Sequence, residues 1–430
     1  MKHKHGGKPI DSGTYGCVFN PALACEGGNR PAGVSKLMLN KHATKEIDLL
    51  KPIYTLSAKY PTLKSHIIIP DLQMCTPATM SHKDLYTFND TCHSLHNAGY
   101  NTHNIHKRRT DFKLLQMEHG GKTIGDYILD MKPNQEYHIH KGIANIFKHV
   151  IIPMNQNQLY HSDIKENNIL IKNNKLKLID FGLMIPYSST SIDPMFLNHY
   201  LSMHYPYTCL LFNDDIPFQW NVFYRNHKHL QGAMFIQACS KHTMESILRY
   251  KKRYSLNSKM LHKESSFIHY CNILFPNKNY LSIIAKQIAY CYNRHKNPLT
   301  GQFDIVNYYN KEFIHTIDIW GLCTVLLYLL REYHSFSLDK QQKLRSLLIK
   351  YMFSMHLDTF PYSEFYTDML AHSEYIKALS GRSKSSRSKS SRSKSGRSRS
   401  SRSRSSRSKS QPKKPSYTRK KRNTNNQSKA

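Results

Sequence analysis

Hydrophobic spacing changes character along the chain. Near the N-terminus, short β-forming runs are broken by glycine. Ile10 to Phe19 reads as strand, tight turn, strand, and Val34-Ser35-Lys36-Leu37-Met38 reads as a further strand. Asn20 to Gly33, rich in Gly, Pro and Ala, reads as an extended turn between them. Thr44 to Leu50 places its apolar residues on one helical face, and Phe112 to Met117 is a largely apolar strand that stops at Gly120-Gly121. Farther on, the period lengthens. Ile139, Ile143, Ile146, Phe147, Val150, Ile151 and Met154 recur at helical spacing, as do Leu322, Val325, Leu326, Leu329 and Leu330. Between these helices, Ile169-Leu170-Ile171 and Leu176-Lys177-Leu178-Ile179 read as strands of a hairpin that turns at Asn173-Asn174.

The hairpin matters for what it brings together. Asn168 precedes its first strand and Asp180 follows its second, so an amide oxygen and a carboxylate arrive at the same end. Both are hard oxygen ligands that suit Mg²⁺. Just upstream, Asp163 is a candidate acceptor for a hydroxyl proton, and Lys165 a candidate partner for a phosphoryl oxygen.

Composition bounds the alternatives. A chain of 430 residues holds two or three domain-sized units, and 39% hydrophobic residues supply ample core. No apolar run approaches the roughly 18 residues of a membrane span; the longest lies around Thr324 to Leu330. No apolar segment follows the basic N-terminus, so no secretory signal is expected. The nine cysteines include no C-x-x-C pair and read as reduced, structural thiols of an intracellular protein. Of the net charge of +33, the stretch from Gly381 to Ala430 carries 19 Lys and Arg and no acidic residue. The remainder is still basic, so a polyanion partner suits either part.

His161-Ser162-Asp163, Asn168 and Asp180-Phe181-Gly182 resemble the catalytic loop and D-F-G motif of eukaryotic-type protein kinases, in the same order. Other parts of that family's pattern have counterparts. Gly13, Gly16 and Val18 resemble its glycine-rich loop, with Ile10 where an apolar residue covers adenine and Asp11 where the first glycine would be. Lys36 matches the strand lysine that contacts the α- and β-phosphates, and Glu46 its helical partner, at a shorter interval than is usual. Met117-Glu118-His119 resembles the hinge between lobes, with Glu118 and His119 as main-chain partners of adenine. Asp318 and Trp320 match the buried helix that supports the catalytic loop.

The resemblance implies an α+β, two-lobed protein-kinase fold. The small antiparallel-sheet lobe would span 5–118 and the larger, mainly helical lobe 119–375. A disordered Arg/Lys-Ser repeat tail would follow at 381–430. It implies transfer of the ATP γ-phosphoryl group to Ser/Thr hydroxyls of protein substrates. Asp163 and Lys165 would be catalytic. Asn168 and Asp180 would hold Mg²⁺.

Four departures stand out: Asp11, Ser162 in place of Arg, Tyr205-Pro206-Tyr207 without an A-P-E glutamate, and an insertion at about 207–310. Ser162 removes the cation that binds an activation-loop phosphate, which argues against control by that route. Together the departures resemble the divergent kinases of large cytoplasmic DNA viruses, which implies a location in the virion or in the host cytoplasm or nucleus. The insertion either steers substrates and partners or stabilises its lobe. From Arg382, an Arg-Ser-Lys/Arg-Ser-Ser/Gly unit repeats and resembles RS-repeat tails. It suits nucleic-acid binding by counterion release, or service as a phosphorylation and localisation segment. Two further readings of the whole chain stay open: a pseudokinase scaffold, and a basic nucleic-acid-packaging protein.

Overall fold

Alternation within Val34–Leu39 sends successive side chains to opposite faces of a sheet, and the two faces acquire different covers. The computed structural model describes residues 7–28, 31–187, 191–197, 203–213, 215–254, 267–276, 278–353 and 361–390. Strands β1 (Lys8–Ser12), β2 (Gly16–Asn20), β3 (Val34–Leu39) and β4 (Phe112–Met117) form an antiparallel sheet in the order β1-β2-β3-β4. Its register sets Cys17, Leu37 and Leu114 in one cross-strand row, and Val18, Lys36 and Leu115 in the next. Helix α1 (Asn40–Lys59) begins directly after β3 and lays Ala43 and Ile47 on the face of Met38 and Leu115. Short helices α2 (Pro61–Lys64), α3 (Phe88–Thr91) and α4 (His93–Asn97) follow. Phe88, Cys92 and Leu95 cover the opposite face, against Cys17, Phe19, Leu37, Phe112 and Leu114. Each large apolar side chain buried this way contributes about 1.5–3 kcal/mol.

The larger, helical region starts with β5 (Lys122–Thr123) and α5 (Ile124–Leu129), whose first turn is capped by the Thr123 hydroxyl. Helices α6 (Glu136–Ile146) and α7 (Ile152–Gln156) run on through a π-turn at Phe147–Ile151. Then come β6 (Leu159–Tyr160), β7 (Ile169–Lys172), β8 (Lys175–Leu178) and β9 (Ile185–Pro186). β5, β7 and β8 form one small sheet, and β6 pairs with β9. Helices α8 (Asp215–His227), α9 (Gly232–Tyr254), α10 (267–274), α11 (Tyr280–His295) and α12 (Ile305–Tyr308) occupy the inserted stretch. They lead into α13 (Ile314–Glu332), α14 (Leu338–Phe353) and α15 (Tyr362–Ser390). The protein is therefore bilobal: an antiparallel sheet followed by a larger, mostly helical region. The backbone of α15 continues into the Arg-Ser repeat as far as Ser390. The rest of the expected tail lies outside the described residues.

Three expectations change. First, α12, a π-turn and α13 run as one helix, Ile305–Glu332, long and apolar enough by length and composition to cross a membrane. Of its apolar window, 78% is buried inside the protein, as a core helix hydrophobic on all sides must be. Second, four cysteines are paired, Cys17 with Cys92 and Cys25 with Cys75, where reduced thiols were expected. Sequence separations of 75 and 50 hide the pairing, which follows from the segment laid across the sheet. Third, the insertion joins the core of the helical lobe. Trp220 stacks on Tyr292 at 4.1 Å, and Phe223, Phe235 and Phe267 belong to the same cluster as α13. This packing is what the stabilising reading requires.

Candidate functional site

Asp318 sits in the second turn of α13, fully buried, where a lone carboxylate would be costly. It is matched by two donors. The backbone N–H groups of His161 and Ser162 donate to its two oxygens at 3.0 and 2.9 Å. Burial pushes the Asp318 carboxyl above its usual range, while His161 and the two N–H bonds pull it back. The same contacts hold Ser162 in the left-handed region, φ +58°, which a non-glycine residue enters only at a cost. The His161 ring bonds the Ile179 carbonyl through Nε2 at 3.0 Å and packs edge-on against Phe181. One buried imidazole thus links the 161–168 loop to the end of the hairpin.

Downstream of that anchor, Lys165 donates to both Asp163 oxygens at 2.9 and 2.7 Å. The Asn168 amide donates to the Asp163 carbonyl and to its Oδ2, each at 2.8 Å. These bonds use the amide nitrogen and leave Asn168 Oδ1 without a donor among the described contacts. The Ile179 N–H donates to the Asn168 carbonyl at 2.9 Å, so the hairpin brings Asp180 beside Asn168. The Asp180 carboxylate is exposed and receives a single long N–H from Gly182, 3.4 Å. Asp180 also has left-handed backbone, φ +62°.

Two open hard oxygens, one amide and one carboxylate, fit Mg²⁺, which takes few protein ligands and completes its shell with water and phosphate. Among the described residues no group of three His, Cys, Asp or Glu side chains forms a metal site.

On the sheet side, Lys36 Nζ donates to both Glu46 oxygens at 2.8 and 2.7 Å. Both side chains are 18% exposed, so the pair is better shielded than a surface ion pair. The short interval between them follows from α1 starting with no loop after β3. Val18 stands directly opposite Lys36 in the register and lies on the same face. A Cβ on Gly16 would lie 2.7 Å from the Leu37 carbonyl oxygen, so packing requires glycine there. Gly13 has no neighbour within 4 Å of that position, and its turn lies open. Ile10 is the extra residue at an irregularity in the β1–β2 register and is half exposed. The Asp11 carboxylate accepts the Ser12 N–H at 2.8 Å.

Glu118 and His119 follow β4 directly. The Glu118 side chain pairs with Lys177, and the His119 carbonyl accepts from Lys172 at 2.9 Å. Two cavities, of about 470 Å³ between α9 and α11 and about 630 Å³ among α10, α13 and α14, involve none of these residues.

Three features carried no signal in the sequence. The His66–Ile68 stretch pairs with β8, with Ile68 N–H to Leu178 O at 2.9 Å and Leu178 N–H to His66 O at 2.8 Å. This ties the first lobe to the hairpin. The Ser162 hydroxyl donates to the Leu183 carbonyl and so fastens the segment after Asp180 directly. Trp320 Nε1 donates to the Met203 carbonyl at 2.8 Å, and Tyr207, Trp320 and Phe353 pack against one another. Aromatic packing thus anchors the stretch where an A-P-E glutamate was sought.

A scan against protein-family models finds no match to this chain, and no curated protein matches it.

Proposed function

We propose that the chain is a divergent eukaryotic-type protein kinase that transfers the γ-phosphoryl group of Mg-ATP to Ser and Thr hydroxyls of proteins. The observation that carries this reading is the Lys36–Glu46 ion pair. It joins β3 to α1 by a two-oxygen charge pair shielded from solvent. It also fixes a lysine on the sheet face that bears Val18, where phosphates would be met.

The reading gives each residue a role that its contacts support. Lys36, oriented by Glu46, meets the α- and β-phosphates. Asp163, oriented by Asn168 and Lys165, accepts or directs the proton of the attacking hydroxyl. Lys165 moves from Asp163 to the transferred group as charge builds there. Asn168 Oδ1 and the Asp180 carboxylate would hold Mg²⁺, which when bound neutralises charge between the β- and γ-phosphates. Ser162 offers no cation for an activation-loop phosphate, and its own bond to Leu183 does that fastening. Activity without such phosphorylation is the consequence. The basic repeat after Arg382 would add a polyanion or regulatory contact separate from catalysis.

Incubation with γ-labelled ATP, Mg²⁺ and a mixed protein panel, followed by phosphoamino-acid analysis, tests the reading. Label on serine and threonine is expected. Absence of label together with intact Mg-ATP binding would favour a scaffold, and label on tyrosine alone would reject the stated specificity.

A further inference from the structure

The β1–β2 turn is gripped from outside at both of its ends. Ser94, on α4, donates its N–H to Ser12 Oγ at 3.3 Å, and its hydroxyl lies 3.3 Å from the same atom. The Ser94 hydroxyl also donates to the Gly16 carbonyl at 3.2 Å. One residue past Gly16, Cys17 is joined to Cys92, the residue before α4. Ser12 enters the turn and Gly16-Cys17 leaves it, so one short helix holds both sides, two residues apart. The turn between them has little else: Gly13 is open, and Tyr15 is more than half exposed while stacking on His42 of α1 at 4.7 Å. A glycine turn that must lay its N–H groups on phosphates loses affinity when it samples many shapes, because ordering it opposes binding.

We propose that α4 is a clamp on the nucleotide loop, closed covalently by Cys17–Cys92, and that thiol–disulfide exchange at this bond sets the affinity for ATP. The proposal rests on the kinase reading of the loop. Opening the bond requires a dithiol reductant. Local opening first exposes the buried pair; one reductant thiolate then attacks a sulfur of it, and the second displaces the mixed disulfide. Two electrons pass to the pair, Cys17 and Cys92 each gain a proton, and the reductant leaves as its own disulfide. Ser94 and Cys92 are positioning residues, acting through Ser12, Gly16 and Cys17.

The second disulfide is an internal control. Cys75 borders β4, at the opposite edge of the sheet from β1, and Cys25 lies past the far end of β2. Separations of 75 and 50 residues constrain the unfolded chain to a similar degree, so the two bonds should support stability alike. Only one of them touches the turn. Cys17 and Cys92 are fully buried whereas Cys25 and Cys75 are partly exposed, so graded dithiothreitol should open the control bond first.

The full chain is purified without reductant and its disulfides are mapped by mass spectrometry. Wild type, reduced wild type, Cys92→Ser, Cys75→Ser, Ser94→Ala and Ser94→Thr are then compared. The readouts are hydrogen exchange at residues 12–17, KM for ATP, and kcat. Reduced wild type and Cys92→Ser should exchange faster and show KM raised about tenfold, with kcat within about twofold. Ser94→Ala should raise KM about threefold, and Ser94→Thr, which keeps the hydroxyl, should restore it. Cys75→Ser should lower the melting temperature and leave KM unchanged.

Free thiols at Cys17 and Cys92 in the untreated chain, or equal KM changes in Cys92→Ser and Cys75→Ser, would overturn the clamp. Faster exchange without a KM change would overturn its link to nucleotide. If no form transfers phosphate, the kinase reading falls. The exchange data then uphold or reject the clamp by themselves.

Discussion

Asp318 accepts the backbone N–H groups of His161 and Ser162, residues far upstream in the chain, at 3.0 and 2.9 Å. A single buried carboxylate thereby sets the conformation of the loop that carries Asp163, Lys165 and Asn168. An amide at that position keeps one acceptor but turns an N–H toward a donor. Asp318→Asn is expected to lower kcat about a hundredfold and stability by about 2–4 kcal/mol. Steady-state kinetics and urea melts on one preparation check both figures. Wild-type kinetics in the variant would mean that the loop holds its shape unaided.

Lys36 and Glu46 should separate kinetically. Lys36→Met removes the cation and is expected to cut kcat/KM for ATP at least a hundredfold. Glu46→Gln keeps an acceptor for the ammonium and should cost about tenfold. Equal losses would indicate that Glu46 does more than orient the lysine.

Ser162 is buried and bonded to the Leu183 carbonyl. Ser162→Ala should cost about 1 kcal/mol. Ser162→Arg, which introduces the residue usual in the kinase family, should destabilise the chain by about 3 kcal/mol or more, because it buries an unpaired cation. Phosphatase treatment of the wild type should leave activity unchanged, and a loss of activity would show control by phosphorylation.

Acid stability should report on a buried histidine pair. His140, on α6, and His372, on α15, meet edge-on at 4.7 Å. Glu136, Lys340 and Lys343 are nearby: Lys340 pairs with Glu136 and is one of the charges that lower His140, and Lys343 lowers His372. Burial lowers both imidazoles, His372 to about 4, with Lys343 adding to its shift. Each is depressed in the folded chain, so the unfolded chain binds more protons below the usual histidine value. Stability is complete above about pH 6.5 and falls as the pH drops toward 4, by on the order of 3 kcal/mol for His372 alone. Urea melts at pH 7 and pH 5 should show the loss, and His372→Gln should lessen it, leaving the part due to His140. Identical pH dependence in the variant would assign the effect elsewhere.

Much of the loop and hairpin was legible because its parts are close in sequence. Asp163, Lys165 and Asn168 stand within six residues, and the Asn173-Asn174 turn forces Asn168 and Asp180 to one end. Lys36 and Glu46 could be paired because a strand followed at once by a helix leaves little freedom. The clamp was not legible. Ser94 and Cys92 reach the turn only because a segment with no strong period lies across one face of the sheet, and cysteines 75 positions apart give no spacing signal. The His66–Ile68 pairing with β8 is too short to leave an alternating pattern. Ser162 was readable as a missing arginine, but its bond to Leu183 depends on a left-handed backbone that no local rule gives to serine.

The most direct test of the central claim is transfer of γ-labelled phosphate from ATP to a generic protein panel, run side by side for wild type and Asp163→Asn. Mg-ATP binding is measured on both by thermal shift. The account predicts labelled serine and threonine with the wild type, at least a hundredfold less with Asp163→Asn, and binding retained in both. Equal labelling by the two proteins, or no labelling and no Mg-ATP binding by the wild type, would contradict it.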